Sequence, residues 1–102
     1  MSTLISLSST TVHYAVTADA HPGALPRVLE LFALRNITPD LVRVSKYRTA
    51  AFREGNLSID VHVSGLSPDE QAIILQKLSA QVSVQNVREE VLFQKNRAKL
   101  VS

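Results

Sequence analysis

The stretch DAHPGALPRVLELFALRNI, residues 19 to 37, holds the residues best suited to bind a ligand. Pro26 has no amide hydrogen, and inside a helix it would cost roughly 3 kcal/mol, so it must lie among the first helical positions. This places the N-cap at Gly23 or later. The amides of Gly23, Ala24 and Leu25 are then expected to be free at the positive end of the helix dipole, where a carboxylate or phosphate binds well. The alternative is that these amides meet only water.

A second set of polar residues, His13, Asp60 and His62, alternates onto the sheet face that points away from the helices. We expect the first and third strands to be parallel neighbours, with His13 early in one and His62 late in the other. Their offset is then about four residues, or roughly 13 Å, which is too far for one metal ion. We therefore predict a solvated or interface face with no metal site. No catalytic residues converge on a pocket by their spacing.

Four segments have the alternation or the valine content of strands. They are residues 11–18, 40–47, 57–63 and 82–93. In the second segment, Val42 and Val44 are expected to face the core. A polar connection over residues 48–56 joins the second and third strands.

Two segments have the spacing of amphipathic helices. The first covers residues 24–36; its predicted buried residues are Leu25, Val28, Leu29 and Phe32, flanked by Leu31 and Leu34. The second begins at Ser67, because Ser67-Pro68-Asp69-Glu70 has the pattern of a capping box with proline at the first helical position. The predicted buried residues of the second helix are Ile74, Leu75 and Leu78.

The order β-α-β-β-α-β predicts an α+β protein with the ferredoxin-like fold. In this βαββαβ sandwich a four-stranded antiparallel sheet carries both helices on one face. We expect it to span residues 11–93, with a flexible N-terminus over 1–10 and a flexible basic tail over 94–102.

Composition limits the classes of protein that the chain can belong to. Its 102 residues are enough for one domain with a single modest core. A formal net charge of +2 permits an anionic partner without requiring one. The absence of cysteine excludes disulfides and thiolate metal sites. Because there is neither a membrane-length apolar run nor a signal-peptide pattern, we expect no membrane partner and a cytoplasmic location.

The segment HPGALPRVLELFALRNITPDLVRV resembles the opening of an ACT domain, a small ligand-sensing module of amino-acid metabolism. Among ACT families it is most similar to the regulatory small subunit of acetolactate (acetohydroxyacid) synthase, of the short type with a single ACT domain. The resemblance covers residues 11 to about 92. The matching parts are Gly23-Ala24-Leu25, Arg27-Val28, Leu31-Phe32 with Arg35, and the region of Ile37 and Thr38.

This resemblance implies regulation rather than catalysis. Small subunits of that family bind a catalytic large subunit that carries thiamine diphosphate, raise its activity and often confer feedback inhibition by an amino acid. No cofactor is expected on this chain itself. ACT domains usually pair side by side into a homodimer with a continuous sheet, and a free amino acid binds at the interface. Here that amino acid would be valine, leucine or isoleucine.

The resemblance also implies a set of ligand contacts around the first loop and helix. They are the backbone of Gly23, Ala24 and Leu25, and the side chains of Asp19, His21 and Thr38. Sensing ACT domains usually have Asp or Asn three residues before the loop glycine, to hold the ligand's ammonium group. This chain has Ala20 there. An activating subunit that does not sense valine therefore fits these residues as well as a sensor does.

Other functions remain as alternatives. A free-standing ACT-domain sensor acting on another partner is the main one. An RNA-binding module on this fold would need aromatic residues on its central strands, but the third strand offers Ser58, Asp60 and His62. An enzyme of acylphosphatase type would need an arginine and a water-positioning Asn after the first strand, and ADAHPG has neither. We therefore predict no nucleic-acid partner and no enzymatic activity.

Overall fold

The computed structural model describes residues 10–51 and 53–93. The elements in chain order are β1 Thr10–Asp19, α1 Ala24–Leu34, β2 Leu41–Tyr47, β3 Asn56–Ser64, α2 Pro68–Ser79 and β4 Val84–Phe93. The strands form one antiparallel sheet in the order β2-β3-β1-β4. This confirms the predicted βαββαβ sandwich. Apart from Thr10, which opens β1, the ends predicted to be flexible lie outside the described residues.

Helix α1 begins where Pro26 requires. Gly23 is its N-cap, so Pro26 is the third helical residue, a position at which no intrahelical hydrogen bond is lost. The helix ends at Leu34, and Asn36 then takes a left-handed conformation with φ of 61°. A residue in this conformation after the last turn stops a helix.

The buried face of α1 differs from the predicted one. The structure buries Ala24, Val28, Leu31 and Phe32. Leu25 and Leu29 are only half-buried. The reason is the second helix: Leu31 faces a groove shared with Lys77 and Ala80 at the end of α2, so the buried face turns toward that helix.

The core lies between the two helices and the central strands β1 and β3. Its largest side chains include Tyr14 and Phe32, whose rings contact each other with centroids 6.2 Å apart. Helix α2 has the predicted capping box: the Ser67 hydroxyl accepts from the Glu70 amide, and the Glu70 carboxylate accepts from the Ser67 amide. It buries Ile74 and Leu78 as predicted, with Leu75 packed partly against the core.

Strand β2 lies outside this core. Val42 is 38% exposed and Val44 is 40% exposed, so the prediction that they face the core is wrong. Both valines point to the helix side of the sheet, but β2 is an edge strand and no residue of it belongs to the core cluster. Alternation sets the face to which a side chain points, and it does not say whether a helix covers that face.

The prediction for the two histidines is also wrong. Strands β1 and β3 are antiparallel, and His13 lies directly opposite His62. Their rings stack with centroids 4.4 Å apart instead of lying roughly 13 Å out of register. The helical crossover makes β2 parallel to β1, and the hairpin then reverses the chain, so β3 must run antiparallel to β1.

Candidate functional site

An open cleft of about 1120 Å³ lies at the end of the sheet where β1 leads into α1. Three connections form its walls: the β1–α1 loop, the β2–β3 hairpin and the α2–β4 loop. The lining residues are those at 19–22, 24 and 27, at 51 and 53–55, and at 80–83. A cleft of this size accommodates a small metabolite.

Backbone hydrogen bonds hold the three connections together beneath the cleft. The Asp19 amide donates to the Ser83 carbonyl at 2.8 Å, and the Ala20 amide donates to the Gly55 carbonyl at 3.1 Å. Gly55 is buried and has φ of 101°, a conformation that favours glycine. These hydrogen bonds therefore hold the β1–α1 loop against the other two connections.

The start of α1 does not present three free amides. The Gly23 amide donates to Nδ1 of His21 at 3.0 Å, and the Ala24 amide donates to the His21 carbonyl at 2.9 Å. The Leu25 amide forms no hydrogen bond with the described part of the chain. The prediction of free amides is thus wrong for Gly23 and Ala24, because His21 accepts a hydrogen bond from each of them across the Pro22-Gly23 turn.

Two arginines, Arg27 and Arg53, line the cleft. Neither was predicted from the sequence to be a ligand contact. A Cβ atom on Gly23 would lie 2.7 Å from Nη1 of Arg27, so the glycine leaves room for this guanidinium beside the helix start. Arg53 reaches the cleft from the hairpin. Neither arginine forms an ion pair within residues 10–51 and 53–93. Arg27 could have been found from its place one helical turn after Gly23, whereas nothing in the hairpin sequence marks Arg53.

The structure places three of the six predicted contact residues on the cleft. Ala24 lines it, whereas Gly23 and Leu25 do not. Asp19 and His21 line the cleft, and Oδ1 of Asp19 accepts a hydrogen bond from Nε2 of Gln85 at 2.7 Å. Thr38 lies beyond the far end of α1. The 11 residues of α1 span about 16 Å, and Thr38 is not among the residues that line the cleft. Ligand binding by these residues stays a prediction.

The histidines on the open sheet face form a polar cluster away from the cleft. Nε2 of His13 lies 2.7 Å from Oδ1 of Asp60, and Nδ1 of His13 lies 3.7 Å from Oε1 of Glu90. The ring of His62 stacks on that of His13. Within the part of the chain that the structure describes, no group of three or more His, Asp or Glu residues could hold a metal ion.

The fold and the cleft define a small α+β domain with an open cleft where its first strand meets its first helix. The family described as ACT-like domain matches residues 6–96, and the chain belongs to this family. ACT domains are typically regulatory, amino-acid-sensing domains rather than catalytic ones, and they commonly dimerise.

Solved structures with the same fold come from several different proteins. The ACT domain from GTP pyrophosphokinase of Chlorobium tepidum is 8% identical, with 80% of this chain and 99% of that chain covered and a TM-score of 0.65. The C-terminal domain of the MgtC protein from Mycobacterium tuberculosis is 20% identical, with 83% and 87% covered and a TM-score of 0.58. A homoserine dehydrogenase from Thiobacillus denitrificans is 16% identical, with 85% and 18% covered and a TM-score of 0.59.

At these identities the likeness concerns the fold alone. No curated protein matches the chain significantly. Neither of the two described helices is long and apolar enough to cross a membrane.

Proposed function

We propose that this ACT-like domain is the regulatory small subunit of acetolactate synthase, in branched-chain amino acid biosynthesis in the cytoplasm. It activates a catalytic large subunit that carries thiamine diphosphate, and it transmits feedback from valine, leucine or isoleucine. The chain itself binds no cofactor and catalyses no reaction. The sequence Gly23-Ala24-Leu25 followed by Arg27-Val28 supports this assignment. The observation that carries it is the cleft at the start of α1, which is lined by Arg27 from the helix and Arg53 from the β2–β3 hairpin.

The charges and apolar residues of the cleft suit a free amino acid. The guanidinium groups of Arg27 and Arg53 can bind the carboxylate, because planar paired donors match its two oxygens. Since His21 already accepts from the Gly23 amide, we expect the carboxylate to depend more on the arginines than on the backbone. An aliphatic side chain would lie against Ala51 and Val82, and Val82 is fully exposed.

We expect two copies to pair side by side through β2. This edge strand exposes Leu41, Val42, Val44 and Tyr47, and its outer backbone groups are available for another strand. In an antiparallel pairing centred on Val44, Leu41 of one copy lies opposite Tyr47 of the other. Thr38 of the second copy then approaches the hairpin beside the first copy's cleft, which explains how Thr38 can serve a site that its own chain does not reach.

Reconstitution with the catalytic subunit tests the proposal. The chain is mixed with the acetolactate synthase large subunit from the same organism, and acetolactate formation is measured with and without valine. We expect a several-fold rise in rate on adding the chain, and inhibition by valine only in its presence. Arg27→Gln should weaken the inhibition, whereas Arg88→Gln, on β4 outside the cleft, serves as the control. An unchanged rate contradicts this assignment, and ligand binding without activation would favour a free-standing sensor acting on another partner.

A further inference from the structure

The cleft contains a negative charge as well as positive ones. We propose that the Glu54 carboxylate recognises the ammonium group of the bound amino acid, the role that Asp or Asn usually has at the position of Ala20. This inference rests on the proposed function, because it assigns one half of the ligand that the proposed sensor binds.

The β2–β3 hairpin carries Glu54 to the side of Ala20. The Ala20 amide donates to the Gly55 carbonyl at 3.1 Å, and a Cβ atom on Gly55 would lie 3.4 Å from the Cβ of Ala20. Glu54 immediately precedes Gly55 in the hairpin and lines the same cleft. The small side chain of Ala20 therefore leaves space in the cleft that the Glu54 side chain can reach.

Asp19 is the other carboxylate on the cleft, but its surroundings are different. Its Oδ1 accepts from Nε2 of Gln85, which also donates to Oδ1 of Asn56 at 2.8 Å. Asn56 is 4% exposed, so this network holds Asp19 at the end of the sheet. Glu54 forms no hydrogen bond or ion pair within the described ranges. Its charge is thus available to a ligand.

The placement of charges selects a class of ligand. Arg27 is on the helix wall, and Glu54 lies next to Arg53 on the hairpin wall. Charges of both signs therefore face the same cleft, and none of these three side chains forms an ion pair within the described ranges. An α-amino acid carries both a carboxylate and an ammonium group on one carbon and satisfies both walls. A phosphate or a dicarboxylate would be repelled by Glu54. The ligand class that suits these charges is therefore an α-amino acid without a second carboxylate.

Calorimetric titration of the full chain with two probes tests the role of Glu54. The probes are valine and 3-methylbutanoate, which is valine without its amino group. We expect the wild type to bind valine more tightly. Glu54→Gln should weaken valine binding about 10- to 100-fold, the usual effect of losing a charged hydrogen bond. It should not weaken 3-methylbutanoate binding, because the substitution removes a negative charge that repels this carboxylate. Glu30→Gln, an exposed position on α1 outside this cleft, is the matched control and should change neither.

Several results would overturn the inference. If Glu54→Gln binds valine as well as the wild type does, or if Asp19→Asn alone loses the preference for valine, Glu54 does not hold the ammonium group, and the proposed function stands. If Glu54→Gln weakens both probes equally, the substitution acts on the shape of the cleft and the inference is likewise wrong. If the wild type binds none of the three branched-chain amino acids, the proposed sensing function fails as well.

Discussion

Gly55 connects the β2–β3 hairpin to the β1–α1 loop, because its carbonyl accepts a hydrogen bond from the Ala20 amide. It adopts a backbone conformation that disfavours any side chain. Its φ is 101°, and an added Cβ would lie 3.2 Å from the Tyr47 carbonyl oxygen. Gly65 also has a positive φ, of 81°, but a Cβ there would meet nothing within 4 Å. The two glycines therefore separate the cost of the dihedral angle from the cost of crowding.

Gly65→Ala should lower the free energy of unfolding by about 1 kcal/mol, from backbone strain alone. Gly55→Ala should lower it by about 2 kcal/mol or more, because the hairpin must also shift away from Tyr47 and Ala20. Urea denaturation of both variants measures the difference. Equal losses, or a larger loss at Gly65, would contradict the tight contact beneath the cleft.

Tyr14 makes the stability of the core depend on pH in the alkaline range. Burial raises the pKa of its hydroxyl, and the negative charge of nearby Glu89 raises that pKa further. Above about pH 10 the unfolded chain loses this proton while the folded chain keeps it, so stability falls by about 1.4 kcal/mol per pH unit. The stability due to the phenol is therefore present below pH 10 and is lost as the pH rises toward the folded-state pKa.

Tyr14→Phe should be less stable than the wild type at neutral pH by about 1 kcal/mol, because the hydroxyl donates to the Gln71 carbonyl at 3.1 Å. That difference should shrink above about pH 10, since phenylalanine has no proton to retain. Urea denaturation at about pH 8 and about pH 11 compares the two proteins. A constant difference across this range would mean that Tyr14 ionises equally easily in both states.

Single residues also show where sequence reasoning stops. Pro26 limits the start of α1 because its missing amide hydrogen is a local constraint. The N-cap was predicted at Gly23 or later, and it is Gly23. The hydrogen bonds from the Gly23 and Ala24 amides to His21 could not be predicted, since they depend on the path of the loop. Arg53 and Glu54 were missed because they reach the cleft only through the pairing of the hairpin with the β1–α1 loop.

At the scale of elements, the sequence predicted helix starts and strand alternation correctly. It did not predict which strand faces are covered by a helix. The capping box of α2 and the alternation of β1 and β3 appear in the structure as predicted. The alternation of β2 is just as regular, yet its valines are exposed. Coverage depends on where a strand lies in the sheet, and the order β2-β3-β1-β4 leaves β2 at an edge.

The edge position of β2 predicts how the chain dimerises. Val44 and Val91 are both 40% exposed, one on each edge strand. Val44→Glu should give a monomer, because the two introduced carboxylates would lie opposite each other in a pairing centred on this residue. Val91→Glu should leave the dimer intact.

Light scattering on the purified proteins gives the mass of each variant. A dimer that Val91→Glu disrupts and Val44→Glu does not would mean that β4 forms the interface. A monomeric wild type would contradict pairing through either edge.

At the scale of the whole molecule, the topology followed from the order of the elements, and the match to the ACT-like domain family agrees with it. The register of the sheet was harder, because the neighbours of β1 are far away in sequence. An incorrect direction for β3 was enough to separate His13 from His62, which the structure stacks together. The cleft is likewise a property of the whole fold, since three separate connections form it.

The most direct test of the account is thermal melting of the wild-type chain with each of the twenty amino acids, at about 5 mM. A ligand present at a hundred times its dissociation constant adds about 2.7 kcal/mol, which raises the melting temperature of a domain of this size by roughly 10 °C or more. We expect such a rise with valine, leucine or isoleucine and not with the acidic amino acids, which Glu54 would repel. A melting temperature that no amino acid changes would contradict the central claim that this cleft senses amino acids.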